Sequence, residues 1–224
     1  MRNAISVQNF IVTIDNAGCI GEKELDEVQA PNPIVANFTA RTALLEQWCA
    51  GAEPVQILIS NFTGESAWQS YVDGINELFD QLNLPTPPIT GSTETNFSSK
   101  QSGLSLTMLG TQNKIPNCSD CQFFVVGQPM IGPDILAYPT KVAQLHELYP
   151  LLKEDFIQAI WPTGSKGIGA ELDRFVGHNW TCEIDVQCSA GPSSVVIIAV
   201  KPKDVEYVIT HISSPITEVK KSFQ

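Results

Sequence analysis

Apolar and polar positions along the chain follow two periods, one typical of strands and one typical of helices. The run Phe10–Ile14 is rich in β-branched residues and is followed by turn residues, which predicts a strand with Asp15 at its exit. From residue 35 to residue 50 apolar side chains recur every three or four positions, which predicts an amphipathic helix ended by Gly51. The same reasoning predicts strands at 55–59 and 104–109, a helix at 66–82, and a small-residue loop at 91–96.

The pattern lapses into turn residues around 115–122 and then resumes with an apolar run at 123–126. This break predicts a boundary between a first domain at 1–118 and a second at 119–224, although the length alone is compatible with one large domain or two small ones. The second half is predicted to contain helices at 141–148 and 166–175 and a buried strand at 195–200. Alternating helices and strands indicate an α/β or α+β architecture.

Composition and charge narrow the classes of function. Hydrophobic residues make up 43% of the 224 positions, which is typical of a chain that buries a sizeable core. The formal charge of −11 disfavours nucleic-acid binding, because neutralising phosphates requires a basic face. No apolar window of about 18 residues is present, so we expect a cytoplasmic protein without membrane partners. We expect the six cysteines to be reduced thiols.

Several common catalytic and binding motifs do not occur in the sequence. There is neither a P-loop nor a Gly-x-Gly-x-x-Gly dinucleotide fingerprint. Three scattered histidines without a nucleophile elbow argue against hydrolytic triad chemistry. The pair Cys118 and Cys121 has the C-x-x-C spacing, but no further Cys or His ligand for zinc lies nearby in sequence, so we interpret it as a loop feature.

Three acidic residues stand where a phosphoryl-transfer site would need them, since Mg²⁺ prefers carboxylate oxygens held at fixed points of a fold. Asp15 follows a predicted strand, Glu46 lies near the end of a predicted helix, and Glu94 lies in a loop of small residues. On spacing alone each also has an ordinary interpretation, as a turn former, a solvated helix residue and a loop carboxylate.

The surroundings of these acids resemble, in the same order, the motifs of one superfamily. Residues 15–19 resemble an Asp-Gly-x-Gly-Thr turn, with Asn16 and Cys19 as departures. Glu46 stands five residues before the sequence Gly-Ala-Glu-Pro at 51–54, and residues 91–95 resemble Gly-Gly-Glu/Asp-Thr in one of two registers. In the second half, residues 127–132 and 189–192 are similar to further motifs. The chain thus resembles the superfamily that contains aminoimidazole ribonucleotide (AIR) synthetase, thiamin-monophosphate kinase and selenophosphate synthetase.

Three shorter segments, 38–41, 89–94 and 164–168, resemble the α-ribazole kinase branch of that superfamily, an enzyme of cobalamin salvage. The resemblance implies a two-part fold, with a mixed N-terminal sheet that binds ATP and forms homodimers, and a shortened C-terminal α/β domain. It also implies a kinase that transfers the γ-phosphoryl group of ATP to the 5′-hydroxyl of α-ribazole, a small nucleoside-like substrate. The alternatives are another ATP-dependent kinase or ligase of the superfamily, or a catalytically silent nucleotide-binding protein.

The resemblance also assigns roles to individual residues. It implies that Asp15, Glu46 and Glu94 hold Mg²⁺, and that ATP contacts the 91–96 loop through Gly91, Ser92, Thr93, Glu94 and Asn96. Asp15 and Lys166 are also expected to take part in catalysis. Lys166 follows Gly164 and Ser165, where it could reach a phosphate or remain a solvent-exposed lysine at a helix start.

Overall fold

The structure is a computed structural model that describes residues 1–221 and separates into two units. The first unit runs from Asn3 to Lys114 and includes Met1, and the second runs from Ile115 onward and includes Arg2. The division therefore falls a few residues before the predicted boundary after residue 118. Residues 222–224 of the predicted second domain lie outside the described residues.

The first unit is built from strands and two long helices. In chain order its elements are β1 (Ile5–Val7), β2 (Phe10–Gly18), β3 (Ile20–Gly21), β4 (Val28–Gln29), α1 (Asn32–Cys49), β5 (Ala52–Asn61), α2 (Trp68–Gln81), β6 (Ile89–Thr93) and β7 (Gly103–Gln112).

Five of these strands form a mixed sheet in the order β1-β2-β7-β5-β6. Strands β5 and β6 are parallel, and the other neighbours are antiparallel. Helix α1 lies on one face, where the Thr13 hydroxyl of β2 donates to the carbonyl oxygen of Ala43 at 2.9 Å. The side chains of Ile57, Ile59 and Leu106 on this face are fully buried. Burial of this apolar surface supplies most of the unit's stabilisation.

The opposite face of the first sheet carries exposed apolar side chains. Ile14 pairs with Thr107, which pairs with Leu58, so all three side chains point to this face. Ile14 is 59% exposed and Leu58 is 37% exposed. Ile5, Val7 and Phe10 extend the apolar surface across β1 and β2. We call this surface the open sheet face.

The second unit contains a second five-stranded sheet within the described residues, in the order β10-β12-β8-β11-β9, with antiparallel neighbours. Its core is the all-buried strand β11, which lies between β8 and β9. Its elements are β8 (Gln122–Val126), α3 (Pro133–Ala137), α4 (Leu145–Lys153), β9 (Ile157–Pro162), α5 (Gly167–Phe175), β10 (Trp180–Cys182), β11 (Val196–Val200), α6 (Val205–Thr210) and β12 (Ile216–Lys221).

The predicted mixture of helices and strands is confirmed, but three local predictions were wrong. Strand β2 does not end at Asp15, because its pairing with β7 continues to Gly18. Residues 91–93 of the loop predicted at 91–96 belong to a strand, β6, since they pair with β5. The helix expected at 141–148 begins at Leu145 because Val142 is extended after a short 3-10 turn. None of the helices within residues 1–221 combines the length and the apolar character that a membrane span requires.

Candidate functional site

The ends of several strands of the first sheet meet at one edge. Gly18, the last residue of β2, pairs with Gly103 at the start of β7. Asn61, the last residue of β5, pairs with Leu104 on one side and with Thr93 at the end of β6 on the other. The loops that follow β2, β5 and β6 therefore emerge together with the segment that precedes β7. We call this region the strand-end site.

Asn61 organises the centre of the strand-end site. Its side chain is 1% exposed, and its Oδ1 accepts the backbone N–H groups of Thr63 at 2.9 Å and Gly64 at 3.3 Å. Its Nδ2 donates to the Gly64 carbonyl at 2.8 Å and to the Thr93 hydroxyl at 3.3 Å. One buried amide thus fixes both the loop after β5 and the end of β6. Sequence reasoning missed this residue, although Asn three residues before Gly, as in Asn61-Phe62-Thr63-Gly64, is typical turn chemistry.

Thr63 connects the same loop to α2 and β7. Its Oγ1 lies 2.5 Å from the Tyr71 hydroxyl and accepts the backbone N–H of Gly103 at 3.0 Å. Burial raises the pKa of Tyr71, and the carboxylates of Asp26 and Glu22 raise it further, whereas the hydrogen bond with Thr63 opposes the shift. Tyr71 therefore stays a neutral hydroxyl that holds the loop in place.

Asp26 ties the loop between β3 and β4 to the start of β7. Its carboxylate accepts the backbone N–H of Ser102 at 2.6 Å, the Ser102 hydroxyl at 2.7 Å and the backbone N–H of Lys23 at 2.9 Å. Burial acts to raise the pKa of Asp26, but these hydrogen bonds and the charge of Lys23 outweigh it and lower the pKa below its ordinary value. The Lys23 ammonium donates to the Ser99 carbonyl at 2.7 Å. No sequence signal predicts these contacts, because Ser102 is 76 residues from Asp26.

Glu94 directly follows β6, and its carboxylate stabilises the loop that comes after it. Its backbone N–H donates to the Asn61 carbonyl at 2.9 Å, and its Oε1 accepts the backbone N–H groups of Asn96 at 2.7 Å and Phe97 at 3.3 Å. The 91–96 loop was predicted to contact ATP, but in this conformation the Glu94 carboxylate already accepts the N–H group of Asn96 and that of Phe97, the residue after the loop.

Gly91, Ser92 and Thr93, which were predicted to contact ATP from a loop, belong to β6. A Cβ atom built on Gly91 would lie 2.0 Å from the backbone carbonyl oxygen of Ile59. The close approach of β6 to β5 therefore accounts for glycine at this position without a ligand. Ser92 is exposed, and the Thr93 hydroxyl is engaged by Asn61.

The sequence allows Glu46 to be either a metal ligand or a solvated helix residue, and the structure contradicts the second interpretation. It lies on α1 as predicted, but it is 1% exposed. Its two carboxylate oxygens accept the backbone N–H and the side-chain Nδ2 of Asn3, each at 3.2 Å. A buried carboxylate needs such donors, since burial of an unpaired charge is costly. Its partner stands 43 residues away and could not be inferred from the local pattern.

Asp15 lies on β2, and Glu94 directly follows β6, so the structure does not bring these two carboxylates together. Asp15 pairs with Leu106, Leu106 pairs with Ile59, and Ile59 pairs with Gly91. Adjacent strands of a sheet lie about 4.8 Å apart, so these three pairings place Asp15 about 14 Å from β6. A Mg²⁺ ion binds its ligand oxygen atoms at a distance of about 2 Å. Within residues 1–221 no three His, Cys, Asp or Glu side chains could hold a metal ion, so the predicted group of Asp15, Glu46 and Glu94 is not assembled.

Lys166, the second predicted catalytic residue, lies in the second unit. It caps the start of α5, and its side chain is exposed. Gly167 follows it with a φ of +80°, and a Cβ atom there would meet the carbonyl oxygens of residues 186, 187 and 188 at 2.8, 3.0 and 3.1 Å. The loop carrying Lys166 is thus closely packed against the segment before β11, while the ammonium group remains accessible.

Comparison with known proteins gives a match in structure but not in sequence. No protein-family model matches the chain, and no curated protein matches it. A chain of the HypE-HypF complex is similar, with a TM-score of 0.64 and 13% identity over 99% of this chain and 88% of that one. HypE in complex with ATP has a TM-score of 0.61 and 9% identity over 94% of this chain and 77% of that one.

A third similar structure is PurL of T. maritima complexed with AMPPCP. Its TM-score is 0.60, its identity is 11%, and the match covers 98% of this chain but 42% of the PurL chain. HypE and PurL are members of the AIR-synthetase-like superfamily. The chain therefore has the AIR-synthetase-like fold. The expected fold class is thus confirmed. Because all three identities are low, the likeness concerns the fold alone.

Proposed function

We propose that this chain is an ATP-using phosphotransferase whose nucleotide binds at the strand-end site. The observation that carries the proposal is the match of nearly the whole chain to an AIR-synthetase-like fold in structures complexed with ATP and with AMPPCP. The strand-end site supports it, because it gathers small polar side chains and turn backbone on a rigid sheet edge. A rigid scaffold under polar loops is the usual arrangement of a ligand site.

The hydrogen bonds of Glu94 determine which backbone N–H groups could bind the phosphates. Exchange of the Glu94 carboxylate for a phosphate oxygen would release the N–H groups of Asn96 and Phe97 as donors. Such backbone donors suit phosphate oxygens because no side chain intervenes. The three predicted carboxylates do not fit a single Mg²⁺ ion in this arrangement, so we derive no step from a protein-held metal.

We propose the 5′-hydroxyl of α-ribazole as the acceptor, on the resemblance of residues 38–41, 89–94 and 164–168 alone. These segments lie in α1, in β6 with its exit, and at the start of α5. We also propose Lys166 as a residue that supplies positive charge to phosphate, because the chain as a whole has a formal charge of −11. Asp15 would act on the acceptor side of the reaction.

The proposal is tested by incubating the pure chain with ATP, MgCl₂ and α-ribazole and measuring ADP together with a phosphorylated nucleoside. We expect turnover, and we expect Asp15→Asn to reduce the rate by about a hundredfold or more, a loss typical of a group that acts on a proton in transfer. Asp80→Asn, an exposed change on α2, serves as the control and should keep the native rate. Absence of product with α-ribazole would remove this acceptor.

A second candidate is a nucleotide-binding protein without catalytic activity. The unassembled carboxylates and the N–H groups already bonded to Glu94 favour it. A rise in melting temperature with ATP, without ADP release from ATP in the presence of any small nucleoside, would support binding without turnover. No rise in melting temperature at millimolar ATP would exclude both candidates.

We also propose that the chain forms a homodimer through the open sheet face. Ile5, Val7, Phe10, Ile14 and Leu58 are each more than a third exposed there and form one apolar surface. A contiguous apolar surface of this kind on a soluble protein marks an interface. A second copy is the suggested occupant because the same apolar face on both chains would pair with itself about a twofold axis.

A further inference from the structure

The C-x-x-C sequence that the proposed function leaves unused forms a tight turn at the start of the second unit. The backbone N–H of Cys121 donates to the carbonyl oxygen of Cys118 at 3.3 Å, and Asp120 has a φ of +58°. A β-turn brings the Cα atoms of its first and fourth residues within about 7 Å. A disulfide requires a Cα separation of about 4.4 to 6.8 Å. The two ranges overlap over nearly their whole extent, so the geometry of this turn is compatible with a disulfide between Cys118 and Cys121.

The turn is held in this shape by its neighbours. The side-chain Oδ1 of Asn117 accepts the backbone N–H of Ser119 at 3.0 Å and the Ser119 hydroxyl at 2.8 Å. Cys121 directly precedes β8, which pairs with β12 on one side and β11 on the other. Cys121 is thus attached to a central strand of the sheet, and the turn fixes the position of Cys118 relative to Cys121.

Both thiols are half-exposed, and each is reduced in this structure. Burial raises the pKa of Cys118 to about 11, and the nearby Cys121 thiol raises it as well, whereas Lys221 lowers it. Burial and the Asp120 carboxylate raise the pKa of Cys121, and Lys201 lowers it. The influence of the Cys121 thiol on Cys118 is consistent with sulfur atoms that are close together.

We propose that Cys118 and Cys121 form a reversible disulfide, which makes this turn a two-electron redox site at the entry to the second unit. A metal site is the main alternative for a C-x-x-C pair, but it would need further ligands. The described part of the chain gathers no three potential metal ligands. The disulfide needs only the two groups that the turn already brings together.

The oxidant in the proposed reaction is a small-molecule disulfide such as oxidised glutathione. The thiolate of one cysteine attacks a sulfur of glutathione disulfide, which breaks that S–S bond, forms a mixed disulfide and releases one glutathione thiolate. The second cysteine, as its thiolate, attacks the protein sulfur of the mixed disulfide and releases the second glutathione. The two cysteines lose two electrons and two protons in total, and the oxidant becomes two thiols.

The reaction can be followed by peptide mapping of the full chain. Reduced protein is incubated with mixtures of reduced and oxidised glutathione in the presence of a chelator, the remaining thiols are alkylated in acid, and the chain is cut with trypsin. Cleavage after Lys114 and Lys141 gives the peptide 115–141, which contains both Cys118 and Cys121 and no other cysteine. We expect this peptide to be unalkylated and lighter by two hydrogens, and dithiothreitol should restore alkylation at both positions.

Matched variants separate this site from the other cysteines. Cys118→Ser and Cys121→Ser should each retain a glutathione adduct on the remaining cysteine and give no lighter peptide. Cys188→Ser changes an exposed thiol that lies 3.0 Å from the Asp185 carboxylate, in the separate peptide 175–203, and should behave as the native chain. The proposal is overturned if peptide 115–141 is recovered doubly alkylated, or with glutathione adducts only, at every ratio of oxidised to reduced glutathione.

Discussion

At the scale of single residues, Asp26 shows how a carboxylate can stabilise loops without taking part in chemistry. Three donors converge on it, two from Ser102 and one from the backbone of Lys23. They hold the loop between β3 and β4 against the start of β7, beside the proposed nucleotide site. A change at this residue should therefore act first on stability.

Asp26→Asn should lower the free energy of unfolding at pH 7 by about 1–3 kcal/mol, since the amide cannot accept from all three donors. The folded-state pKa of Asp26 lies below its ordinary value of 3.8, so its stabilisation is present above that value and is lost as the pH falls through the lower folded-state pKa. Urea unfolding at pH 7 and pH 3 measures both effects. The difference from the native chain should shrink at pH 3, and Asp80→Asn should show no such difference.

Glu46 and Asp15 mark the limit of local sequence reasoning about the site. The sequence around Glu46 correctly places it on a helix, but its burial depends on Asn3, at the other end of the first 50 residues. Asp15 was expected to end a strand because turn-forming residues follow it. Pairing of β2 with β7 overrides that local preference and keeps residues 15–18 extended.

At the scale of elements, the start of α1 and the whole of β6 were the hardest features to predict. The periodic core of α1 and its end at Gly51 follow from the sequence. The helix begins at Asn32, where the Glu22 carboxylate accepts the backbone N–H at 2.8 Å, and that cap comes from another loop. The sequence of β6 predicts a loop because its residues are mostly small and polar. An edge strand tolerates this composition once a neighbouring strand pairs with it.

Gly91→Ala tests whether β6 is defined by packing or by a ligand. The new Cβ would lie 2.0 Å from the Ile59 carbonyl oxygen, so the strand would have to shift, at a cost of about 1–3 kcal/mol in the free energy of unfolding. Gly18→Ala is the control, since nothing lies within 4 Å of its added Cβ, and its effect should stay within about 0.5 kcal/mol. Thermal unfolding of both variants gives the comparison.

If Gly91→Ala keeps native stability and loses only ATP binding, the packing explanation of this glycine is wrong, and a direct contact with nucleotide is favoured. If stability and binding fall together, the variant confirms that the strand-end site depends on the pairing of β6 with β5.

At the scale of the whole molecule, the apolar side chains of the open sheet face predict that the chain is a homodimer. We expect the chain to have twice its monomer mass of 24.4 kDa in light scattering. Ile14→Lys puts a charge in the middle of the apolar face, and burying that charge would be costly, so this variant should be monomeric. Ile115→Lys changes a side chain that is 79% exposed and outside the face, and it should remain dimeric. A monomeric native chain would contradict the proposal.

The order of strands in the first sheet has a consequence for how the chain is made. Strand β7 lies between β2 and β5, yet it is the last strand of its unit to be synthesised. Until residue 112 has left the ribosome, β2 has only the short β1 beside it, and β5 has only β6. Contacts between residues so distant in sequence form slowly and expose apolar surface meanwhile. A nascent chain stalled before β7 should therefore bind chaperones and be cut rapidly by protease, and one stalled well after residue 112 should resist cleavage.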